Sequence, residues 1–125
     1  MTSTISVVFD GGTSAITGNP EVDVTVPAAG TITGWTLLAD AAGGAVIDIW
    51  NDTYANFPPT DADSICAANP VSMNSVIKQT SYLDGIDSQI DTWDKTLAAG
   101  DILRFHLDSS STVKRLELTL TYTRS

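Results

Sequence analysis

The chain has 125 residues, of which 42% are hydrophobic, and its formal net charge at pH 7 is −9. A chain of this length folds around one core, and its apolar content is typical of a globular domain rather than a disordered segment. The acidic surface repels phosphate backbones and anionic lipid headgroups, so the composition argues against nucleic-acid binding and membrane binding.

The first segment, residues 1–18, contains one strand-like run, ISVVF, followed by loose polar sequence. It lacks a basic region with a long apolar stretch, and nowhere in the chain do 18 apolar residues run together. We therefore expect neither a signal peptide nor a transmembrane helix. We predict a single domain over residues 1–125, with residues 1–18 as an N-terminal arm that adds a strand to a neighbouring subunit.

Two strands are predicted over residues 22–39. Residues 22–26 alternate valine with polar side chains, which is the period-2 pattern of a strand with one buried face. Residues 30–39, GTITGWTLLA, are rich in β-branched and aromatic residues, and strict alternation places Ile32 and Trp35 on opposite faces. Apolar groups on both faces predict a central strand, or one that changes sheets near Gly34.

The middle of the chain combines a turn signal with weak helix signals. The sequence DAAGG at residues 40–44 predicts a hairpin turn, so residues 45–50 should pair antiparallel with the strand before the turn. Residues 70–79 are expected to form one or two helical turns, and Thr60 is expected to cap a helical turn over residues 61–65. None of these segments has the length of a stable amphipathic helix.

The C-terminal part carries the clearest strand pattern. After a turn at residues 98–101, residues 102–107 alternate apolar side chains with Arg104 and His106, and a further turn is predicted at residues 108–111. The last strand directs four side chains inward: Leu116, Leu118, Leu120 and Tyr122. Short strands bounded by Gly, Asp, Asn and Pro predict an all-β fold, namely an antiparallel β-sandwich of the jelly-roll type.

Motifs for catalysis and metal binding are sparse. His106 and Asp108 share one strand face, but no nucleophile elbow supplies a serine, so we interpret His106 as a surface residue. Asp61 and Asp63 form a D-x-D sequence that lacks the third ligand, the glycine and the closing glutamate of a calcium loop, and we interpret both as capping residues. The single cysteine, Cys66, excludes an intrachain disulfide and, with one histidine, cannot complete a zinc site.

The densest acidic run comprises Asp84, Asp87, Asp91 and Asp94. A glycosidase needs a carboxylic acid whose pKa is raised by burial or by a like-charged neighbour, and this run lies among polar residues with no predicted apolar pocket. We interpret it as a solvated or partner-facing loop. The sequence therefore predicts no catalytic residues, no metal and no cofactor.

An aromatic segment, WNDTYANFPPTDADSI, occupies residues 50–65. Its rings offer a large apolar area, and its two prolines hold the backbone extended before binding, which lowers the ordering cost of association. The residues alone leave two alternatives, a partner-binding surface or a lid that folds back over the open end of the sandwich. The candidate partner-binding residues are Trp50, Tyr54, Phe57, Pro58, Pro59 and, from a later segment, Trp93.

The run GTITGWTLLADAAGGAVIDIWNDTYANFPPTDADSI, residues 30–65, resembles a module of tailed-bacteriophage virion proteins with the pattern G-T-I-x-G-W-x-L-x-A-D … D-x-W-K-D-T-Y-A-N-x-P-P-T-x-A-D-S-I. Residues 98–125 are similar to the closing strands of that module, G-D-x-L-x-F-x-V-D-S. The resemblance covers most of the chain after Pro27. The chain departs from the pattern at Asn51, where the module has lysine, and at Asp91-Thr92, where glycine often precedes the tryptophan.

The resemblance implies a jelly-roll-like fold and a non-enzymatic role. We expect a capsid decoration (cement) protein that forms a homotrimer, binds the major capsid protein on the outer surface of the virion, and is assembled in the host cytoplasm. The alternative is a tail-fibre or receptor-binding module for a host glycan or protein. In that alternative exposed Trp50, Tyr54 and Trp93 stack on sugar rings, and Asp84 or Asp87 accepts hydroxyl hydrogen bonds.

Overall fold

The computed structural model describes residues 1–83 and 89–125, and all strand pairs in these residues are antiparallel. The strands are β1 (Thr2–Asp10), β2 (Glu21–Thr25), β3 (Gly30–Asp52), β4 (Val71–Tyr82), β5 (Thr96–Leu97), β6 (Ile102–Ser111) and β7 (Arg115–Arg124). Short 3₁₀ helices occupy Tyr54–Asn56, Asp61–Asp63 and Gln89–Thr92. No helix in the described residues has the length and apolar character needed to cross a membrane.

The long strand β3 belongs to two sheets. Its residues 30–39 pair with β7 on one side and with the end of β4 on the other. Its residues 44–52 pair with β6, and the beginning of β4 again lies on the opposite side. The strands form one continuous sheet of order β1-β7-β3-β6-β2, in which β4 and β5 also pair with β3. We call its two halves, β1-β7-β3-β4 and β2-β6-β3-β4, the two sheets, and they have the double-layer arrangement of a jelly roll. Strands β1 and β2, at the two ends of the order, contact each other, so the sheet curls over one core. The predicted all-β, antiparallel fold class is confirmed.

The DAAGG sequence does not form the predicted hairpin turn. The strand continues through it, and its register with β4 shifts between Leu38 and Gly43 and again between Gly43 and Ala45. These shifts mark the place where β3 passes from one sheet to the other. The prediction was wrong because glycine is required here by the close approach of two backbone segments, not by a turn. A Cβ on Gly43 would meet the backbone oxygen of Ser111 and the side chain of Val113.

Asp40 fastens this crossing to the β6–β7 connection. Its Oδ1 accepts hydrogen bonds from the backbone N–H groups of Lys114, at 2.8 Å, and Arg115, at 3.0 Å. These two N–H groups stabilise the carboxylate and lower the pKa of Asp40. The turn between β6 and β7 was predicted at residues 108–111, which is too early. Strand β6 continues to Ser111, and the chain turns at Thr112, whose φ is 66°.

The core lies between the two sheets and follows the predicted alternation on β6 and β7. The inward residues of both strands are fully buried: Leu103, Phe105, Leu107, Leu116, Leu118, Leu120 and Tyr122. On β3 the alternation is interrupted by a register shift between Ile32 and Gly34. One extra residue reverses the facing of the chain, so Ile32 and Trp35 both point into the core. The prediction that they lie on opposite faces was wrong for this reason.

Two further segments differ from the prediction. Residues 70–79 form most of β4 rather than helical turns, because pairing with β3 supplies their backbone hydrogen bonds and buries Val71 and Met73. The first segment is not a free arm. Residues 2–10 form β1 within the body of the fold, and Ile16 in the following loop is also buried.

Candidate partner-binding surface

A buried carboxylate anchors the segment that follows β3. Asp48 is 6% exposed, and its Oδ1 accepts hydrogen bonds from the hydroxyl of Ser64, at 2.6 Å, and from the N–H of Ile49, at 2.9 Å. Its Oδ2 accepts the indole N–H of Trp50 at 2.9 Å. The Sγ of Cys66 lies 3.4 Å from Oδ1. Because Ser64 lies 16 residues further along the chain than Asp48, these bonds close the intervening residues into a loop.

We call residues 53–64 the aromatic loop, and short-range hydrogen bonds shape each half of it. In the first half, Asp52 Oδ1 accepts the N–H of Thr53 at 2.7 Å and the side-chain amide of Asn56 at 3.2 Å. In the second half, the carboxylate of Asp63 accepts the N–H of Thr60 at 2.8 Å. The capping role predicted for Asp63 is therefore confirmed, with a 3₁₀ turn in place of the longer helical turn.

The loop displays two of the predicted contact rings. The side chains of Tyr54 and Phe57 are 79% and 48% exposed. Pro58, which follows Phe57 through a cis peptide bond, is also exposed, whereas Pro59 is buried and supports the loop from beneath. The lid alternative is therefore wrong for Tyr54, whose ring does not fold back over the core, whereas the ring of Phe57 is only half exposed.

Trp50 forms the platform beneath the loop. Its ring stacks on the imidazole of His106, with a centroid distance of 4.8 Å. The Nδ1 atom of His106 lies 2.6 Å from Asp108 Oδ1, and its Nε2 atom lies 3.9 Å from Glu21. The paired strands β3 and β6 direct these two rings to the same outer surface of the sheet. One face of Trp50 is consequently covered and is not available for stacking on a sugar.

Arg104 connects the loop to β2. Its guanidinium donates two hydrogen bonds to Asp23, at 2.7 and 2.9 Å, and lies 3.6 Å from Glu21. Its Cζ is 5.4 Å from the centroid of the Phe57 ring, within the range of a cation–π contact. The hydrogen bond to Asp23 raises the pKa of Arg104, so the guanidinium keeps its charge at any ordinary pH. The planar fork thus holds one face of Phe57 against the sheet and leaves the other open.

A shallow depression lies beside the two exposed rings and measures about 200 Å³. Its lining residues are Asp23, Val24, Thr25, Tyr54, Phe57 and Ile102. The apolar floor and the neighbouring Arg104–Asp23 pair give the surface a dry centre and a charged rim. A surface of this composition suits the binding of a protein side chain better than the binding of a charged small molecule.

Trp93 does not belong to this surface. It is 4% exposed, and its indole N–H donates a 2.7 Å hydrogen bond to the backbone oxygen of Asn69. The expectation of an exposed Trp93 ring was wrong, because that residue joins the core. Asp84 and Asp87 lie outside the described residues.

The described residues contain no group of three or more His, Cys, Asp or Glu side chains placed to hold a metal ion. Cys66 is 2% exposed, and burial raises the pKa of its thiol to about 12. The thiol is therefore protonated and shielded from solvent. In the described residues, His106 makes polar contacts with the carboxylates of Glu21 and Asp108 and stacks on Trp50.

Sequence reasoning missed Asp48 and Arg104, the two charged residues that fix the surface. Asp48 lies in the apolar run AVIDIW, and a single acidic residue inside a strand of such composition is a signal for a buried, hydrogen-bonded carboxylate. Arg104 carries no comparable signal. Its partners are distant in sequence, and only the β2–β6 register brings it opposite Asp23.

No family model and no curated protein matches the chain. Among solved structures, the coat protein of tobacco streak virus aligns with 97% of this chain and 86% of that chain, at 10% identity and a TM-score of 0.30. A structure of the Gx strain of infectious bursal disease virus aligns with 98% of this chain and 37% of that chain, at 7% identity and a TM-score of 0.24. At these scores the fold assignment rests on the strand pairing described above.

Proposed function

We propose that the protein is a non-enzymatic component of a tailed-bacteriophage virion that decorates the outer surface of the capsid. The resemblance of residues 30–65 to a virion module supports this role. The observation that carries the proposal is the exposure of Tyr54 and Phe57 on a loop that is tied to the sheet at both ends. Exposed aromatic residues on a rigid support are typical of the centre of a protein interface.

The binding step follows from the way in which the loop is held. Asp52 and Asp63 fix its two halves, and Arg104 holds one face of Phe57, so the rings lose little conformational freedom when a partner covers them. The depression between the rings and β2 accepts an apolar side chain of the capsid subunit. The acidic remainder of the surface faces solvent and limits unspecific association.

Stabilisation of the shell follows from mass action. A protein that binds the assembled shell but not its free subunits shifts the equilibrium toward the shell. The effect grows with the number of occupied sites and requires no chemical step. Decorated particles are therefore expected to rupture at a higher temperature than undecorated particles.

The test uses virus particles that lack this chain. Purified protein is added, bound protein is measured by co-sedimentation, and the rupture temperature is followed by release of the genome. We expect Tyr54→Ala combined with Phe57→Ala to weaken binding by roughly tenfold or more, as for central interface residues. Ile77→Ala, which removes a side chain that is 50% exposed on β4, is the matched control and should bind normally. Equal binding by both variants, or no binding by the natural protein, would contradict the proposal.

The second candidate function is that of a receptor-binding module on a tail fibre. The observation that favours it is the Tyr54 ring, which is 79% exposed beside a depression and could pack against a sugar. Binding of the purified chain to host cells, lost in Tyr54→Ala, would support this role. Binding to heads without binding to cells would support decoration.

A further inference from the structure

In the described residues the outer edge of β1 pairs with no strand, although β2 approaches β1 without hydrogen-bonded pairing. Among the described residues β1 pairs only with β7, and the nine residues, TSTISVVFD, keep one register without a bulge. The strand contains no lysine and no proline, and Val8 is 48% exposed on it. Proteins normally protect such edges with lysine, proline, bulges or very short strands, because an open edge pairs readily with another chain.

The other edges in the described part of the chain do carry such protection. Strand β2 has five residues between Pro20 and Pro27, and two of them are acidic. Strand β4 is interrupted by register shifts, contains Ser75 at a φ of 57° and carries Lys78. Strand β5 has only two residues. Among the strand edges that the structure describes, only that of β1 therefore lacks protection.

We propose that β1 is an interface between two copies of this chain, at which it pairs antiparallel with β1 of the second copy about a two-fold axis. The β1-β7-β3-β4 sheets of both copies then form one continuous sheet, and the free backbone groups of each edge are satisfied. The contact is independent of the proposed role in the virion.

Charge supports a second copy as the occupant. Each copy carries a net charge of −9, so copies repel unless the contact excludes acidic groups. Residues 2–9 have no charged side chain, and Asp10 lies at the end of the strand. Arg124 lies at the opposite end, where its N–H donates to the backbone oxygen of Met1 and its guanidinium contacts the Met1 sulfur. Antiparallel pairing brings Asp10 of each copy to the end that carries Arg124 of the other.

The side chains fit a register centred on Ser6. Ser6 then faces its own counterpart, and Val8 faces Thr4 of the other copy on the outer surface. Pairs of β-branched residues stabilise antiparallel strands. Asp10 faces Thr2 of the other copy, so the two Asp10 carboxylates lie far apart. This symmetry makes the protein a dimer, in place of the homotrimer expected in the sequence analysis.

Sedimentation velocity at protein concentrations up to about 100 µM, in the range of weak specific association, tests the proposal. We expect the natural chain to form a dimer. Ser6→Lys should raise the dissociation constant by roughly tenfold or more, because it places two ammonium groups opposite each other at the axis. Gln79→Lys adds the same charge on exposed β4, at the far edge of the same sheet, and should leave the dimer intact.

Cross-linking provides a second readout that does not depend on affinity. Facing residues of antiparallel strands have Cα separations that a disulfide can bridge, so oxidised Ser6→Cys should form a covalent dimer. The native Cys66 is 2% exposed and should not react, and Gln79→Cys should remain monomeric under the same conditions. A monomer or a trimer of the natural chain would overturn the proposal. Unchanged association of Ser6→Lys, or an uncrosslinked Ser6→Cys, would do so too.

Discussion

The indole of Trp50 and the imidazole of His106 stack with their centroids 4.8 Å apart and their planes inclined by 18°. The two residues belong to neighbouring strands, β3 and β6, so the stack joins the strands on the surface beneath the aromatic loop. Trp50 therefore supports the candidate surface from below, and Tyr54 and Phe57 form its exposed part. A mutation in the stack should therefore change the stability of the platform formed by Trp50 more than it changes the exposed rings of Tyr54 and Phe57.

His106→Ala should expose Trp50 and reduce the free energy of unfolding by about 1 kcal/mol, which is typical of an aromatic pair. The other two tryptophans, Trp35 and Trp93, are buried, so acrylamide quenching of fluorescence reports mainly on Trp50. Quenching should increase in His106→Ala and stay low in His106→Phe, which keeps a flat ring in the same place. Equal quenching in the natural protein and in His106→Ala would show that the stack does not cover Trp50.

Asp48→Ala, in β3, should be among the most damaging single substitutions for the aromatic loop that Asp48 anchors. It leaves the N–H of Ile49 without its acceptor in a buried position, and the hydroxyl of Ser64 and the indole N–H of Trp50 without theirs in partly buried positions. We expect a loss of about 2–4 kcal/mol in urea unfolding. Asp61→Ala removes an exposed carboxylate from the aromatic loop itself and should change the stability by less than about 0.5 kcal/mol. Similar losses for the two variants would argue against Asp48 as the anchor.

The strands that follow a strict alternation were predictable from the sequence, and the irregular places were not. Over residues 103–107 of β6 and 116–122 of β7 every second side chain is buried, so periodicity alone identified these core residues. On β3 one extra residue between Ile32 and Gly34 reversed the facing, and sequence alternation does not reveal a bulge. The glycines at residues 43–44 were interpreted as a turn. A tight turn and the close packing of two backbone segments both require glycine, and the sequence does not distinguish them.

The candidate surface was predictable in composition but not in arrangement. The exposure of Tyr54 and Phe57 agrees with one of the two alternatives that the aromatic segment left open. Trp93 carried the same apolar signal and joined the core, since hydrophobicity alone does not distinguish a contact residue from a core residue. Arg104 acquired its role only through long-range pairing with Asp23, at a separation of 81 residues.

Gly43→Ala should destabilise the crossing between the sheets. An added Cβ would meet the backbone oxygen of Ser111, which cannot move without disturbing β6. We expect a loss of about 1–3 kcal/mol, as for overpacking in a well-packed region. Gly44→Ala is the control, since the atom nearest to its Cβ would be the movable hydroxyl of Ser111, at 3.0 Å, and the backbone oxygen of Met73 would lie at an ordinary contact distance of 3.7 Å. The account of the crossing would be wrong if thermal or urea unfolding gave the two variants equal stability.

The thiol of Cys66 should be unreactive in the folded protein. Burial raises its pKa from 9.0 to about 12, so folding favours the protonated form. The resulting contribution to stability is complete below pH 9 and is lost as the pH rises toward 12. At pH 8 a thiol reagent should label the folded chain at least about 100-fold more slowly than the urea-unfolded chain, because reaction requires an accessible thiolate.

A neighbouring position supplies the control for the thiol measurement. Ala67 is exposed, so Ala67→Cys in a Cys66→Ala background should react rapidly without urea. The same background should also show less loss of stability between pH 9 and pH 12 than the natural chain. Rapid labelling of Cys66 in the folded natural protein would contradict its burial.

The location of the protein on intact virus particles tests the central claim most directly. Electron microscopy of particles with and without this chain should reveal additional density at many equivalent positions on the outer surface of the head. The aromatic loop, with Tyr54 and Phe57, should face the shell in that density. Density confined to the tail, or identical particles in both samples, would contradict the assignment of the protein as a capsid decoration protein.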